Sequence, residues 1–211
     1  MAERYPGSQI LAVSNSTRQR AHIQQQCRQR ALGNVQVVTQ DVNSLQVSTG
    51  SFDRCISIEM FEHMRNYALL LDRIRSWLRP GGKLFVHLFA HRELLYAFDT
   101  GGAGNWLGRH FFTGGLMPAA DTLLWFQRHL RIEQRWLLDG THYQRTADHW
   151  LANHDANRGA VMRALREAYG AAGASLWYQR GRMFWMACAE LFGYESGQEW
   201  LVAHYRLSGP A

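Results

Sequence analysis

Glu59, Glu62 and His63 are the residues of this sequence best suited to move a proton. They close the segment 52–64, FDRCISIEMFEHM, in which an apolar run over residues 55–58 breaks into two acids and a histidine. Two carboxylates held close together push one pKa upward, and an imidazole beside them can accept a proton near neutral pH. Their spacing of i, i+3 and i+4 places all three on one face of a helix if the chain turns helical after Ile58. Two other readings stay open. One is a polar strand end whose carboxylates are simply hydrogen-bonded. The other is a zinc site resembling an inverted H-x-x-E-H motif, but Glu59 stands where its first histidine belongs, and no metal is expected.

The elements around this trio decide whether it sits where chemistry is done. A short apolar run bounded by polar residues reads as a buried parallel strand, and open α/β sheets bind ligands just beyond the carboxyl ends of such strands. Residues 9–13 form a first apolar strand ending in Ser14-Asn15-Ser16, and Ser16 is a good N-cap for a helix over 17–32 that Gly33-Asn34 stops. A second strand covers 35–38, a third Phe52–Ile58, and a helix over 67–78 closes at Pro80-Gly81-Gly82 before a fourth strand over 83–89. The order β-α-β-β-α-β predicts an α/β fold with a doubly wound parallel sheet. Residues 92–128 lack clean periodicity and suit a cap. Beyond them the pattern predicts a strand over 130–138, one or two helices over 146–171, a buried helix over 177–192 and a late antiparallel strand over 199–207. The GGxG at 101–104 follows polar residues rather than a strand, so it does not read as a nucleotide loop.

Composition narrows the classes. The 211 residues suit one domain, or one domain with an elaborated cap, and 46% hydrophobic with 19% charged residues suits a globular protein with a sizeable core. The net charge of +6 is carried almost wholly by arginine, Lys83 being the single lysine. Such a surface favours anionic partners. The arginines are scattered, however, and no motif or lysine-rich face points to nucleic acid. Cys27, Cys55 and Cys188 are too few and too far apart for a disulfide framework. Neither a signal peptide nor an 18-residue apolar run is present, so the expected compartment is the cytoplasm, with no transmembrane segment.

Several segments together resemble one group of S-adenosylmethionine-dependent methyltransferases. They are AVSNSTRQ (12–19), QDV (40–42), FDRCISIEMFEHM, LRPGGKLFVHLF (78–89), FFTGGLMPAAD (111–121), THYQRTADHWL (141–151), ELFGY (190–194) and GQEWLVAHYRL (197–207). The group comprises the cyclopropane-fatty-acyl-phospholipid synthase-like enzymes and the coclaurine-type N-methyltransferases, and the resemblance runs from about residue 5 to 207. It implies a Rossmann-like class I methyltransferase sheet with a helical cap. It also implies that the family's first strand and its D-x-G-C-G-x-G loop are missing, so weak cofactor binding is expected. The implied division is a partial cofactor-binding core over 1–91, an acceptor-binding cap over 92–128 and a completion of the sheet with helices over 129–211.

The resemblance also assigns roles. Asn15 and Gln19 match positions that contact the cofactor's ribose or methionine part, although Asn15 and Ser16 alone could be read as helix caps. Asp41 and Val42 match the adenine seat, although Asp41-Val42-Asn43 alone reads as a turn. Ile58 matches a further adenine-side contact. Glu59, Glu62 and His63 match the trio that positions and deprotonates an acceptor amine in the N-methyltransferase branch. In the lipid branch the second acid helps hold a bicarbonate, and His87 matches a histidine of that pocket. A histidine inside an apolar strand reads equally as a hydrogen-bonded core residue. Phe111, Phe112, Met117, Trp125 and Phe126 are candidates for the acceptor pocket, since aromatic walls suit amines that become cationic, with plain core as the competing reading. The implied activity is methyl transfer from S-adenosylmethionine to a small-molecule amine. The alternatives are methylene transfer to an unsaturated phospholipid, with bicarbonate and peripheral membrane contact, or an inactive fragment.

Overall fold

The computed structural model describes residues 1–102 and 104–209, which divide into two compact units, Met1–Ser48 and Thr49–Ala211. The first unit is a single β-α-β turn of chain. Strand β1 (Ile10–Ser14) and strand β2 (Val35–Thr39) pair in parallel, Ile10 opposite Val35 through Ser14 opposite Thr39. Helix α1 (Thr17–Gln29) connects them. It begins where the cap signal placed it: the Gln19 N–H donates to Ser16 Oγ at 3.2 Å. The Asn34 amide donates to the Ser8 carbonyl at 2.9 Å, tying the entry of β1 to the entry of β2.

In the second unit the strands lie in the order β3-β4-β8-β7. Strand β3 (Phe52–Ile58) runs parallel to β4 (Leu78–His91), and β8 (Trp200–Ser208) lies antiparallel between β4 and β7 (Arg131–Leu138). Alternation decides which face is buried. Leu84, Val86, Leu88, Leu201, Ala203, Tyr205 and Leu207 are almost wholly buried. Phe85, His87 and His204, which alternate with some of them, are half-buried on the other face. Helix α2 (Tyr67–Trp77) supplies a stripe of buried Leu70, Leu71 and Ile74 and packs beside β4. The Tyr205 hydroxyl, at the centre of β8, donates to the Ala120 carbonyl at 2.6 Å.

Between β4 and β7 the chain is mostly irregular, as the absent periodicity implied. A two-residue strand β5 (Tyr96–Ala97) pairs with β6 (Leu116–Met117) around a short helix α3 (Trp106–His110). Ala103 of the GGxG stretch lies outside the described residues. Gly101 beside it gives its N–H to Asp99 Oδ1 at 2.8 Å.

The helical end of the chain differs from the pattern reading. Helix α4 (Thr141–Ala156) starts five residues before the expected 146, because Asp139 Oδ1 accepts the Thr141 N–H at 3.0 Å and holds the first turn. Helix α5 (Arg158–Gly193) merges the two expected helices and breaks only at Gly170, where φ is 73°. It is not the buried helix expected over 177–192: Tyr178, Cys188, Ala189 and Phe192 are buried, while Met183 and Met186 are 48% and 40% exposed. Apolar content does not mean burial there, because α5 packs chiefly on α4 and leaves its other side to solvent. Among the described residues no helix is long and apolar enough to cross a membrane.

Candidate functional site

The site grows out of the place where β3 stops. Ile58 pairs with His87 of β4, and the next N–H, that of Glu59, donates to the His87 carbonyl at 3.0 Å. Glu59 then adopts φ 48°, a left-handed conformation costly for a residue with a Cβ. This turns the chain out of the sheet into the 3₁₀ turn Phe61–His63. The expected helical face is therefore not formed. A positive φ at the first acid and a turn of only three residues send the trio in different directions: Glu62 is 1% exposed, Glu59 is half-buried and His63 is exposed.

Glu62 is held by the strand that β3 abandons. In a parallel ladder the N–H that follows the His87 carbonyl on the same edge is that of Phe89. With β3 ended, that N–H donates to Glu62 Oε1 at 3.0 Å. Glu62 Oε2 is buried and has no partner among the described residues. Burial, with the charge of Glu59 adding to it, raises the Glu62 pKa to about 7. A native carboxyl that holds its proton above the ordinary range binds more protons folded than unfolded, so ionising it destabilises the fold. Stability should therefore fall by about 3 kcal/mol between pH 4.5 and 7 on this group's account. Glu62→Gln should remove that slope in urea unfolding at pH 5 and pH 8. An unchanged slope would mean that Glu62 is ionised throughout.

Glu59 is shifted the other way. Burial pushes it up, but the contacts from His87 and Tyr143, helped by the charges of His87 and His63, outweigh this and hold it below the usual carboxylate range. The Tyr143 hydroxyl, from the first turn of α4, donates to Glu59 Oε1 at 2.8 Å. The same oxygen lies 3.5 Å from His87 Nε2. Burial, then the carboxylate beside it, push the Tyr143 phenol up, so it remains a donor. Two neighbouring acids with opposed shifts can divide acid and base roles between them.

His87, Phe111, Phe112 and Met117 fall in the same unit. Met117 is buried with Phe89 and Phe192, and Phe112 and Tyr143 pack against this cluster. Phe112 stacks on Phe98 at 5.0 Å between centroids, and Phe111 stacks on Phe184 at 4.4 Å. Trp125 is 79% exposed and is no wall of this cluster. Phe126 instead meets the edge of Tyr67 at 5.5 Å.

The first unit carries its candidates separately. Asn15 and Gln19 are exposed just past β1, and the Gln19 side chain bonds Ser14 Oγ. Asp41 forms the turn its sequence suggested, Oδ1 accepting from the Asn43 N–H at 2.8 Å and the Asn43 amide at 3.0 Å, with Val42 half-buried beside it. Ile58, in the second unit, is 65% exposed.

Pattern reading missed Tyr143 and His204. His204 of β8 lies directly opposite His87 of β4, with His87 Nδ1 2.8 Å from His204 Nε2. Both residues lie inside segments quoted above for their resemblance, but nothing local ties Tyr143 to an acid 84 residues away.

Comparison with known proteins adds an independent line. The family model described as mycolic acid cyclopropane synthetase matches residues 1–197. The (S)-coclaurine N-methyltransferase of Thalictrum flavum subsp. glaucum is 33% identical over 210 residues, 97% of this chain and 57% of that protein. The cyclopropane-fatty-acyl-phospholipid synthase of Escherichia coli (strain K12) is 24% identical over 152 residues, 71% of this chain and 37% of that protein. A crystal structure of coclaurine N-methyltransferase bound to N-methylheliamine and SAH superposes with a TM-score of 0.90 at 31% identity, over 98% of this chain and 62% of that one. The chain thus spans little more than half the length of the plant protein it matches.

Proposed function

Because the chain belongs to the mycolic acid cyclopropane synthetase family, with its class I methyltransferase fold, we propose that it serves methyl transfer from S-adenosylmethionine to a small-molecule amine. The observation that carries this reading is the convergence of Tyr143, His87 and Glu59 at the carboxyl end of β3, beside a carboxyl of opposite shift. Similarity to proteins named as coclaurine N-methyltransferases supports an amine as the acceptor.

Each unit, taken by itself, exposes groups of types that a nucleoside cofactor can use. Asn15 makes no hydrogen bond among the described residues, and Asp41 keeps one carboxylate oxygen outside its turn; both suit hydroxyl and amine groups. The exposed Ile58 suits an adenine ring. S-adenosylmethionine, when bound, supplies a sulfonium methyl reactive enough that the protein's task is alignment and proton removal.

In this reading Glu59, ionised and partly open to solvent, accepts the acceptor's N–H and holds its nitrogen. Tyr143 and His87 keep that carboxylate oriented. Glu62 fixes the end of β4 through Phe89 and can take up a proton near neutrality, and His63 passes protons to solvent. The wall of Phe112, Met117 and Phe192 excludes water from the developing cation, with Phe111 beside it.

Calorimetric titration with S-adenosylhomocysteine and product mass after incubation with a panel of secondary amines test the proposal together. Micromolar binding and a mass gain of one methyl group are expected. Folded protein that binds no S-adenosylhomocysteine would sink the reading. Product formed only on anionic vesicles of unsaturated phospholipid, with bicarbonate, would favour the lipid branch instead.

A further inference from the structure

We propose that His204 is a positioning residue for this site: by donating from Nε2 to Nδ1 of His87, it fixes the His87 tautomer that presents Nε2–H to Glu59. The inference rests on the amine-methylation reading for its consequence, but the pairing on which it stands is geometric.

Only one hydrogen fits between His87 Nδ1 and His204 Nε2 at 2.8 Å. Neutral imidazole carries one hydrogen, and which nitrogen bears it is set by the partner of the other. His87 Nε2 faces Glu59 Oε1 at 3.5 Å. An ionised carboxylate there favours a hydrogen on Nε2, which leaves Nδ1 bare and in need of a donor. His204 is that donor. Burial, and then the neighbouring His87, lower the His204 pKa, which favours an uncharged His204 ring beside His87.

The pairing is built into the fold. His87 and His204 are register partners in the β4–β8 ladder. Their rings lie 4.8 Å apart at 35°, and the His204 ring also rests 5.3 Å from Phe85. The other titratable groups facing Glu59 and His87 come from separate elements: Glu62 and His63 from the turn after β3, Tyr143 from α4 and Cys188 from α5. On the His204 side, Arg206 is paired with Glu133 of β7. None of these is placed to donate to His87 Nδ1 as His204 is.

Without that donor, His87 can move its hydrogen to Nδ1 and turn a lone pair toward Glu59. The carboxylate loses a favourable contact and becomes harder to ionise. His204→Phe keeps a flat ring but cannot donate. His204→Gln keeps a donor near the same place.

The test is ¹⁵N–¹H correlation of the imidazole nitrogens in the unliganded, ¹⁵N-histidine-labelled chain, paired with the pH profile of kcat/KM for amine methylation. Wild type and His204→Gln should show His87 as the Nε2–H tautomer. His204→Phe should show a mixture, and its acid limb should move up by about one pH unit while the Gln variant's stays. A wild-type His87 protonated on Nδ1 would overturn the proposal even if the Phe variant does not fold. So would an altered tautomer with an unmoved acid limb. The tautomer is read without substrate, so a chain that shows the lock but methylates no amine refutes the proposed function rather than the pairing.

Discussion

Glu59→Gln should lower kcat/KM for amine methylation by about 10²–10⁴-fold, the range expected when a general base is lost. The substitution keeps the Cβ and nearly the same shape, so the left-handed turn at φ 48° and its N–H bond to His87 are undisturbed. It removes only the negative charge that meets Tyr143 and His87. S-adenosylhomocysteine affinity should therefore match wild type while turnover collapses, and stability at neutral pH should fall modestly, since a carboxyl held below its usual range contributes to the fold there. A variant that keeps its rate would move the base from Glu59 to Glu62, whose pKa near 7 lets it compete for the role.

Gly140→Ala should cost about 3 kcal/mol of stability or more, beyond the usual overpacking range, because the obstacles are main-chain atoms. A Cβ at 140 would lie 2.1 Å from the Trp200 carbonyl oxygen and 2.2 Å from that of Phe192. The Gly140 N–H already donates to the Gly197 carbonyl at 2.9 Å, and Gly197 itself sits at φ 77°. Three chain segments, the start of α4, the end of α5 and the start of β8, thus meet with no room for a side chain. Tyr143 is three residues beyond this junction, so the same substitution should pull its hydroxyl off Glu59 and reduce methyl transfer in whatever protein stays folded. Gly159→Ala, with nothing within 4 Å of its Cβ, is the control and should gain up to about 1 kcal/mol from helix propensity. Equal melting temperatures for the two variants would contradict the junction.

Much of this protein is legible along the chain because it depends on neighbours in sequence. The Ser16 cap, the apolar run of β3, the stripe of α2 and the late antiparallel strand follow from hydrogen-bonding capacity and side-chain period, and the structure reproduces them within a residue or two. The segments that carry the family resemblance are equally local, and the family match bears them out. Helix α5 marks the limit of composition as a guide, since an apolar sequence there does not mean a buried helix.

The acids were legible as acids, but their roles were not. One backbone angle at Glu59 separates three residues that spacing had placed on one face, and no pattern of side chains encodes it. Glu59 is lowered by contacts from His87 and Tyr143, 28 and 84 residues away in sequence, while burial raises Glu62 against the opposing bond from Phe89. The His87–His204 pair exists only because β8 returns antiparallel beside β4 in one register. By itself the sequence determined the family of the chain and where along it the candidate acids lie. Only the tertiary structure decided which carboxyl is ionised and which donors serve it, because burial and hydrogen bonding depend on what the fold brings within a few ångströms.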